Sequence, residues 1–244
     1  MRGPHNIIRL IRTGATLERT GAMNVVLDAF DAPPALRFVA KALGKPFQWL
    51  GYKGDPSMPP ATRALTALGP AYIKFGQVLS TRPDVVGDEL AVQLRVLQDK
   101  LPPFSTEEAK AEVQRELGVS PDTIFSEFSP PVAAASIAQV HKARLTEGGE
   151  AVAVKVLRPN IERAFAKDVD AFYLAARIVE IFAPGARRLR PIEVIEHFDG
   201  VVQGELDLRL ESSAAGEFAA NTKNDAGFVL PAIRWEYSAR RVMT

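Results

Sequence analysis

The 244-residue chain contains no cysteine, which excludes disulfide bonds and thiolate metal sites and is typical of a protein from a reducing compartment. Apolar residues make up 47% and charged residues 24% of the chain, proportions that indicate a globular protein with a packed core. The net charge of +1 favours no nucleic-acid partner, and the three histidines (His5, His141 and His197) are too scattered to indicate a zinc site.

The first 53 residues form a basic and apolar lead. They hold eight Lys or Arg and three Asp or Glu residues, a balance of +5, so the remainder of the chain carries −4. Short helices are predicted here, with breaks at Pro33-Pro34, Gly44 and Gly51. Such a segment is suited either to lie against an anionic membrane surface or to form a solvated arm. No apolar run approaches the ~18 residues that a membrane span needs, so no transmembrane segment is predicted.

A second helical block is predicted over residues 54–118. Pro70 is suited to the first turn of a helix, where its missing N–H costs nothing, and Pro83 is expected to end that helix. Ser105 and Glu108 form a capping box that predicts the start of a further helix.

The pattern changes to strands at about residue 127. The segments "SEFSPPV", "SIAQVHKARL" and "EAVAVKVL" are typical of strands, and "TEGG" predicts a hairpin turn between the last two. Two long helices are predicted next, the second continuous over residues 192–221. Two final strands are predicted at 227–238 and 239–244. The remaining segment, 119–244, is therefore expected to form an α+β domain.

One strand of this domain carries a lysine behind a turn of small residues. A small-residue turn lets backbone N–H groups approach phosphate oxygens, and a lysine on the next hairpin can reach the same phosphates. The protein-kinase pattern for such a turn is G-x-G-x-x-G-x-V, followed by V-A-I-K. Aligned with this sequence, its glycines fall on Ala133, Ala135 and Ala138, its valine on Val140 and its lysine on Lys155 in "VAVK". Two plainer interpretations stay open, a surface lysine on an edge strand and a compact packing turn.

Several motifs together resemble the UbiB family of atypical kinase-like ATPases. These are the K-x-G-Q signature in "YIKFGQVLSTRPD", the alanine-rich loop in "AAASIAQVH" and the E-x-D helix in "ELDLRLE". The resemblance covers essentially the whole chain. It implies a protein-kinase-like small lobe, an antiparallel sheet with helices, preceded by a helical K-x-G-Q extension that in the family covers the place where a kinase admits a peptide.

The resemblance also implies the roles of individual residues. Lys155 would contact phosphates and Glu211 would hold that lysine. Lys74, Gly76 and Gln77 would be the regulatory K-x-G-Q residues, and Glu205 with Asp207 the E-x-D pair that engages Lys74. The implied nucleotide-binding residues are Ala133, Ala134, Ala135, Ser136, Ala138, Val140 and Lys155.

The helical spacing supports part of this assignment. Asp207 and Glu211 are four residues apart and so would share one helix face, where a nearby cation would offset their repulsion. Glu205 would point elsewhere and is spaced to pair with Arg209. A solvated acidic face is the alternative interpretation.

The catalytic loop H-R-D-x-x-x-x-N and the D-F-G motif of kinases are both missing from this sequence. The large lobe and the family's membrane segments are therefore expected beyond Thr244, and this chain alone is expected to be inactive and to hold no metal ligands. The implied cofactor is ATP or ADP, with Mg²⁺ in the parent protein.

The resemblance implies the amino-terminal part of an atypical kinase or ATPase that supports ubiquinone biosynthesis from the cytoplasmic side of the inner membrane. A non-catalytic scaffold that binds a prenyl lipid or the ubiquinone biosynthesis enzymes is the alternative.

Overall fold

The computed structural model describes residues 5–97, 102–225, 227 and 229–244. These residues divide into two compact units. The helical unit holds the described residues up to 97 together with 163–199, and the sheet unit holds 102–162 together with the described residues from 200 to 244. The three-part division expected from the sequence (1–53, 54–118 and 119–244) stays a prediction.

The helical unit begins with seven helices and a 3₁₀ turn. They are α1 (His5–Thr20), α2 (Ala22–Ala29), α3 (Pro34–Gly44), the 3₁₀ turn Lys45–Leu50, α4 (Pro60–Leu68), α5 (Pro70–Ser80), α6 (Pro83–Val86) and α7 (Asp88–Arg95). The predicted breaks at Pro33-Pro34, Gly44 and Gly51 are confirmed. Pro83 was expected to end α5, but α5 ends earlier, at Ser80, and Pro83 begins α6 because a proline suits the first turn of a helix.

Close backbone contacts and aromatic rings hold the helical unit together. Helices α1 and α3 approach so closely that a Cβ atom on Gly44 would lie 2.7 Å from the Gly14 carbonyl oxygen. The aromatic rings that pack in this unit have centroids 4.7–5.9 Å apart and belong to Tyr72, Phe75, Phe172 and Phe198. Two of these rings come from α5 and two from the residues 163–199, so distant parts of the chain share one core.

The sheet unit is built on four antiparallel strands in the order in which they occur in the chain. They follow helices α8 (Thr106–Leu117) and α9 (Pro121–Ile124), and are β1 (Phe125–Ala134), β2 (Ala138–Leu145), β3 (Ala151–Leu157) and β4 (Val242–Met243). The hairpin between β2 and β3 turns through Gly148 and Gly149, both at positive φ, as "TEGG" predicts. Buried residues of β1–β4 pack with Val113 of α8, so one face of the sheet forms the core.

Helix α10 (Ile161–Phe182) is followed by the 3₁₀ turn Pro184–Leu189. After this turn, two helices lie where the sequence predicted a single helix over residues 192–221. Helix α11 (Pro191–Glu205) ends and α12 (Leu208–Asn221) begins, with Asp207 in an extended conformation between them. Leu206 and Leu208 are both fully buried. Positions two apart in a helix point in nearly opposite directions, so a continuous helix would expose one of them, and the break buries both.

The last predicted strands are confirmed only in part. Residues 242–243 form β4, but the described residues of 227–238 form a single 3₁₀ turn, Trp235–Tyr237, and otherwise irregular chain. Phe228, within that predicted strand, lies outside the described residues. The predicted α+β fold class is nevertheless confirmed, with an antiparallel sheet and helices as in a kinase-like small lobe. Within the described parts of the chain, no helix combines the length and apolar character needed to cross a bilayer.

Candidate functional site

A row of four residues crosses the sheet on one face. Ala133 of β1 pairs with Val140 of β2, Val140 pairs with Lys155 of β3, and Lys155 pairs with Met243 of β4. Directly paired residues point to the same side of a sheet, so these four side chains share a face. Their neighbour Val156 belongs to the opposite face, which is the buried core beneath α8. The spacing predicted from the kinase pattern therefore corresponds to a real cross-strand register.

Lys155 forms an ion pair with Glu211 from the first turn of α12. The lysine Nζ lies 2.7 Å from both carboxylate oxygens of Glu211. The lysine side chain is 29% exposed and the glutamate side chain 48% exposed. Since β3 lies inside the sheet, between β2 and β4, Lys155 is not the edge-strand lysine of the plainer interpretation. The pair fixes the direction of a long and otherwise flexible side chain.

Helix α12 presents Glu211 because of how the helix begins. Asp207 caps it by accepting a hydrogen bond from the backbone N–H of Arg209 at 3.1 Å. Leu208 and Ser212 are fully buried and anchor the first turn, and the Leu208 N–H donates to the Arg240 carbonyl at 2.8 Å. Glu211 is thus placed by a capped and anchored helix end, 56 residues after the lysine that it contacts.

The position of Asp207 corrects the predicted helix face. Because Asp207 lies outside α12, it does not share a helix face with Glu211. Its carboxylate instead accepts from the Arg209 guanidinium at 2.6 and 2.9 Å, and these bonds hold the pKa of the carboxyl below its ordinary value. Glu205 is the last residue of α11.

The alanine-rich segment is divided between strand and turn. Ala133 and Ala134 complete β1, and the turn closes with a hydrogen bond from the Ala135 N–H to the Ala138 carbonyl at 2.8 Å. Ser136 and Ala138 are buried, Ala135 is half-buried and Ala133 is exposed. No residue from 133 to 138 adopts a positive φ. Alanine is therefore tolerated where the kinase pattern has glycine.

The K-x-G-Q residues all lie in α5 of the helical unit. Gly76 is buried, and a Cβ atom there would lie 2.6 Å from the Cδ1 atom of Leu65 and closer still to Leu97. Gln77 donates to the Leu97 carbonyl at 3.3 Å. Lys74 is half-buried. Close packing of leucine side chains therefore leaves no room for a larger side chain at Gly76.

A protein-family model decides the identity of the chain. The ABC1 atypical kinase-like domain matches residues 96–244, well over half of the sequence. The chain belongs to the ABC1 atypical kinase-like family.

Curated relatives of the chain carry the name "Probable protein kinase UbiB", which confirms the resemblance to the UbiB family. The chain is 42% identical over 181 residues to the relative from Marinobacter nauticus, an alignment that covers 74% of this chain and 33% of the relative. The relative from Pseudomonas paraeruginosa is 37% identical over 238 residues, covering 96% and 44% respectively. The relative from Aliivibrio fischeri is 40% identical over 221 residues, covering 89% and 40%. The chain thus aligns with less than half of each of these relatives.

Behind the site of this ABC1-family chain, the core face of the sheet holds a buried polar pair that the sequence did not indicate. His141 and Gln139, on β2, lie on the core face of the sheet, although polar residues of a strand are ordinarily expected on its solvent-facing side. The His141 Nδ1–H donates to the Ser129 carbonyl at 2.7 Å, and Nε2 accepts from the Gln139 amide at 2.9 Å. Burial lowers the pKa of His141 below its ordinary value, although the Ser129 bond opposes this, so the neutral ring is favoured.

A buried arginine network lies behind the same sheet. Arg241, just before β4, donates to Glu112 of α8 at 3.0 Å and to the Arg158 carbonyl at 2.8 Å, and it also pairs with Glu162. The Arg241 side chain is 12% exposed and the Glu112 side chain 2%. These contacts join segments more than 75 residues apart in sequence, which is why local patterns gave no signal for them.

The site offers donors for phosphate but no cluster for a metal. Lys155 and the backbone of the alanine-rich turn are groups that hold phosphate in proteins. Within residues 5–97, 102–225, 227 and 229–244, no group of three or more His, Asp or Glu residues is arranged to hold a metal ion. None of the described residues is therefore identified as a metal ligand.

Proposed function

We propose that the sheet unit supplies the phosphate-contacting part of an adenine-nucleotide site, in which Lys155 contacts the phosphates of ATP or ADP. The observation that carries this proposal is the ion pair of Lys155 with Glu211, formed on an internal strand in one row with Val140 and Ala133. Lysine and glutamate play this part in protein kinases, where a strand lysine meets a helix glutamate. Membership of the ABC1 atypical kinase-like family supports the same role.

The geometry suits phosphate binding because the lysine is already ordered. A phosphate reaching the row meets an ammonium group whose direction Glu211 has fixed, so less side-chain entropy is lost on binding. Bound ATP would supply the phosphoryl group for transfer or hydrolysis. We propose such an activity, in support of ubiquinone biosynthesis, for the whole protein to which this chain corresponds. The regulatory roles of Lys74, Gly76 and Gln77 with Glu205 and Asp207 stay predictions from the resemblance.

Nucleotide titration of the chain tests this proposal. Lys155→Met should weaken binding of both ADP and ATP about tenfold or more, because a charge-assisted hydrogen bond to phosphate is lost. Glu211→Gln should weaken binding less, since the lysine stays but is less ordered. Fluorescence of labelled ADP and ATP provides the measurement.

A lysine of the same unit offers a matched control. Lys110 of α8 also forms an ion pair, with Asp122 at 2.6 Å, but α8 packs on the core face of the sheet. Lys110→Met should leave nucleotide binding unchanged within about twofold. Equal losses for Lys110→Met and Lys155→Met, or no loss for Lys155→Met, would show that Lys155 is not a phosphate ligand.

A peripheral membrane role is the second candidate, and the surface of α1 favours it. Ile7 and Ile8 are 54% and 60% exposed, in a helix that also carries Arg9 and Arg12. Exposed apolar residues beside cations are typical of segments that lie on anionic bilayers. This surface suits a scaffold that meets a prenyl lipid or ubiquinone biosynthesis enzymes at a membrane.

Vesicle co-sedimentation distinguishes this surface from a solvated arm. The chain should pellet with vesicles that contain phosphatidylserine and remain in solution with pure phosphatidylcholine vesicles or at high salt. Replacing both Ile7 and Ile8 with serine should reduce pelleting severalfold, because the two apolar side chains that would insert into the bilayer are lost. Equal pelleting of this double variant and the unaltered chain would argue against insertion of α1.

A further inference from the structure

The alanine-rich turn is held by a residue that no kinase pattern indicates. Arg158 follows the last residue of β3 and lies three positions after Lys155. Its Nε and Nη2 atoms donate to the Ala135 carbonyl at 3.2 and 3.0 Å. Nη2 also donates to the Pro102 carbonyl at 2.9 Å. The guanidinium therefore joins the turn to the segment that precedes α8.

The backbone of Arg158 holds the turn at a second point. Its N–H donates to the Ile137 carbonyl at 2.8 Å. The carbonyls of Ala135 and Ile137, the residues on either side of Ser136, thus both accept from one residue. Because the Ala135–Ser136 peptide is trans, its N–H points opposite to its carbonyl. Fixing the Ala135 carbonyl consequently aims the Ser136 N–H away from Arg158.

The guanidinium itself packs on a ring that is tied to buried polar residues of β2. It lies over the Phe104 ring, 5.6 Å from the ring centroid, at a distance typical of a cation–π contact. The Phe104 backbone is in turn bound at both its N–H (3.0 Å) and its carbonyl (3.2 Å) by the Gln139 side chain, which also contacts His141. These contacts restrict the half-buried arginine side chain to one arrangement.

The partners of Arg158 differ from those of other arginines in the sheet unit. Arg241 and Arg234 pair with glutamates, whereas the Arg158 side chain contacts carbonyl oxygens and a ring among the described residues. Among the described residues, no carboxylate pairs with its positive charge. A positive charge beside a turn of small residues favours an anion there.

We propose that Arg158 is the positioning residue of the alanine-rich turn, which it orients so as to set the preference between a nucleoside diphosphate and a nucleoside triphosphate. The preference rests on the proposed nucleotide site, whereas the ordering of the turn does not. A turn whose carbonyls are fixed presents its N–H groups in one direction. A diphosphate and a triphosphate chain place their oxygens differently relative to these donors, so the turn should bind the two nucleotides with different affinity.

Hydrogen exchange and nucleotide titration on the full chain test the two parts separately. In Arg158→Gln, the Ala135 amide, which is bonded to the Ala138 carbonyl, should exchange about tenfold faster, because two charge-assisted hydrogen bonds to the turn are lost. In Arg158→Lys, a single ammonium retains part of the contact, and exchange should be intermediate. The ratio of the ADP and ATP dissociation constants should change about threefold or more in Arg158→Gln and recover partly in Arg158→Lys.

Arg144 offers a matched control. Its guanidinium donates to the Gly149 carbonyl at 2.6 Å, so it holds the β2–β3 turn as Arg158 holds the β1–β2 turn. Arg144→Gln should speed exchange near Gly149 and leave both the Ala135 amide and the nucleotide ratio unchanged.

Each outcome decides a part of the proposal. Unchanged exchange at Ala135 in Arg158→Gln overturns the ordering role. Faster exchange with an unchanged nucleotide ratio overturns the role in preference. If the unaltered chain binds neither nucleotide, the proposed function fails together with the preference, and exchange still decides whether Arg158 orders the turn.

If Arg158→Gln does not fold, Phe104→Leu provides a second variant. It removes the ring beneath the guanidinium and should speed exchange of the Ala135 amide about threefold; no change would count against the proposal.

Discussion

Replacement of Arg241 by methionine is expected to lower the free energy of unfolding by about 3–5 kcal/mol. The side chain is nearly buried and serves Glu112, Glu162 and the Arg158 carbonyl at once. Its loss leaves the Glu112 carboxylate, itself 2% exposed, with only the solvent-side Arg115 as a cation, and removing one partner from a buried ion-pair network is costly. The loss also removes the donor from the Arg158 carbonyl. Urea unfolding followed by circular dichroism gives the measurement.

Arg115 is a control that shares the same acid. It pairs with Glu112 from the solvent side, where its side chain is 65% exposed. Arg115→Met should cost less than about 1 kcal/mol, because exposed ion pairs contribute little. Replacing Arg241 and Glu112 together with methionine and leucine should recover part of the stability lost in Arg241→Met, since the charges then disappear as a pair. Comparable losses for Arg241→Met and Arg115→Met would mean that burial does not determine the strength of this network.

Gly76→Ala and Gly200→Ala are expected to change stability in opposite directions. Both glycines lie inside helices, α5 and α11, where alanine is intrinsically favoured by about 1 kcal/mol. Gly200 is exposed and has no atom near an added Cβ, so its substitution should stabilise the chain by about that amount. At Gly76, the Cβ would overlap Leu65 and Leu97, and forcing these buried side chains aside costs about 1–3 kcal/mol.

The two variants should therefore differ by the cost of overpacking at Gly76, about 1–3 kcal/mol, and we expect the upper part of that range because the added Cβ overlaps two leucines. When both variants are measured in one denaturation series, the contribution of helix propensity cancels in the difference between their free energies of unfolding. A stabilising Gly76→Ala would show that the two leucines rearrange freely, and the glycine of the K-x-G-Q motif would then need an explanation other than packing.

Local signals in the sequence predicted local structure well. The capping box of Ser105 and Glu108 forms as expected, with the Ser105 hydroxyl accepting from the Glu108 N–H and the Glu108 carboxylate accepting from the Ser105 N–H. The hairpin at "TEGG" forms because its glycines allow positive φ. Such elements need only a few neighbouring residues, so the sequence contains the information that they require.

The break at Asp207 shows where local patterns fail. Four apolar residues at helical spacing are buried and form a pattern continuous enough to suggest that the helix goes on; they are Ile195, Phe198, Val202 and Leu206. The break depends on Leu208, whose burial is decided by contacts such as that of its N–H with the Arg240 carbonyl. Tertiary packing of this kind overrides helix propensity and cannot be seen in a short window.

The candidate site divides in the same way. The register of Ala133, Val140 and Lys155 could be predicted, since hairpin pairing follows from turn length. Arg158 and Gln139 gave no signal, because their partners at Ala135 and Phe104 lie 23 and 35 residues away. A buried polar residue needs a hydrogen-bond partner, so its burial can be predicted from the sequence only when that partner is already known.

The two prolines of β1 affect how this protein behaves in a crowded solution. The strand lies at one edge of the sheet, and its pairing with β2 is irregular around Pro130 and Pro131. Proline has no N–H to offer a neighbouring strand, and shifts in register twist an edge away from flat pairing. The outer side of β1 is thus a poor template for strand addition by another molecule, which limits aggregation through this edge.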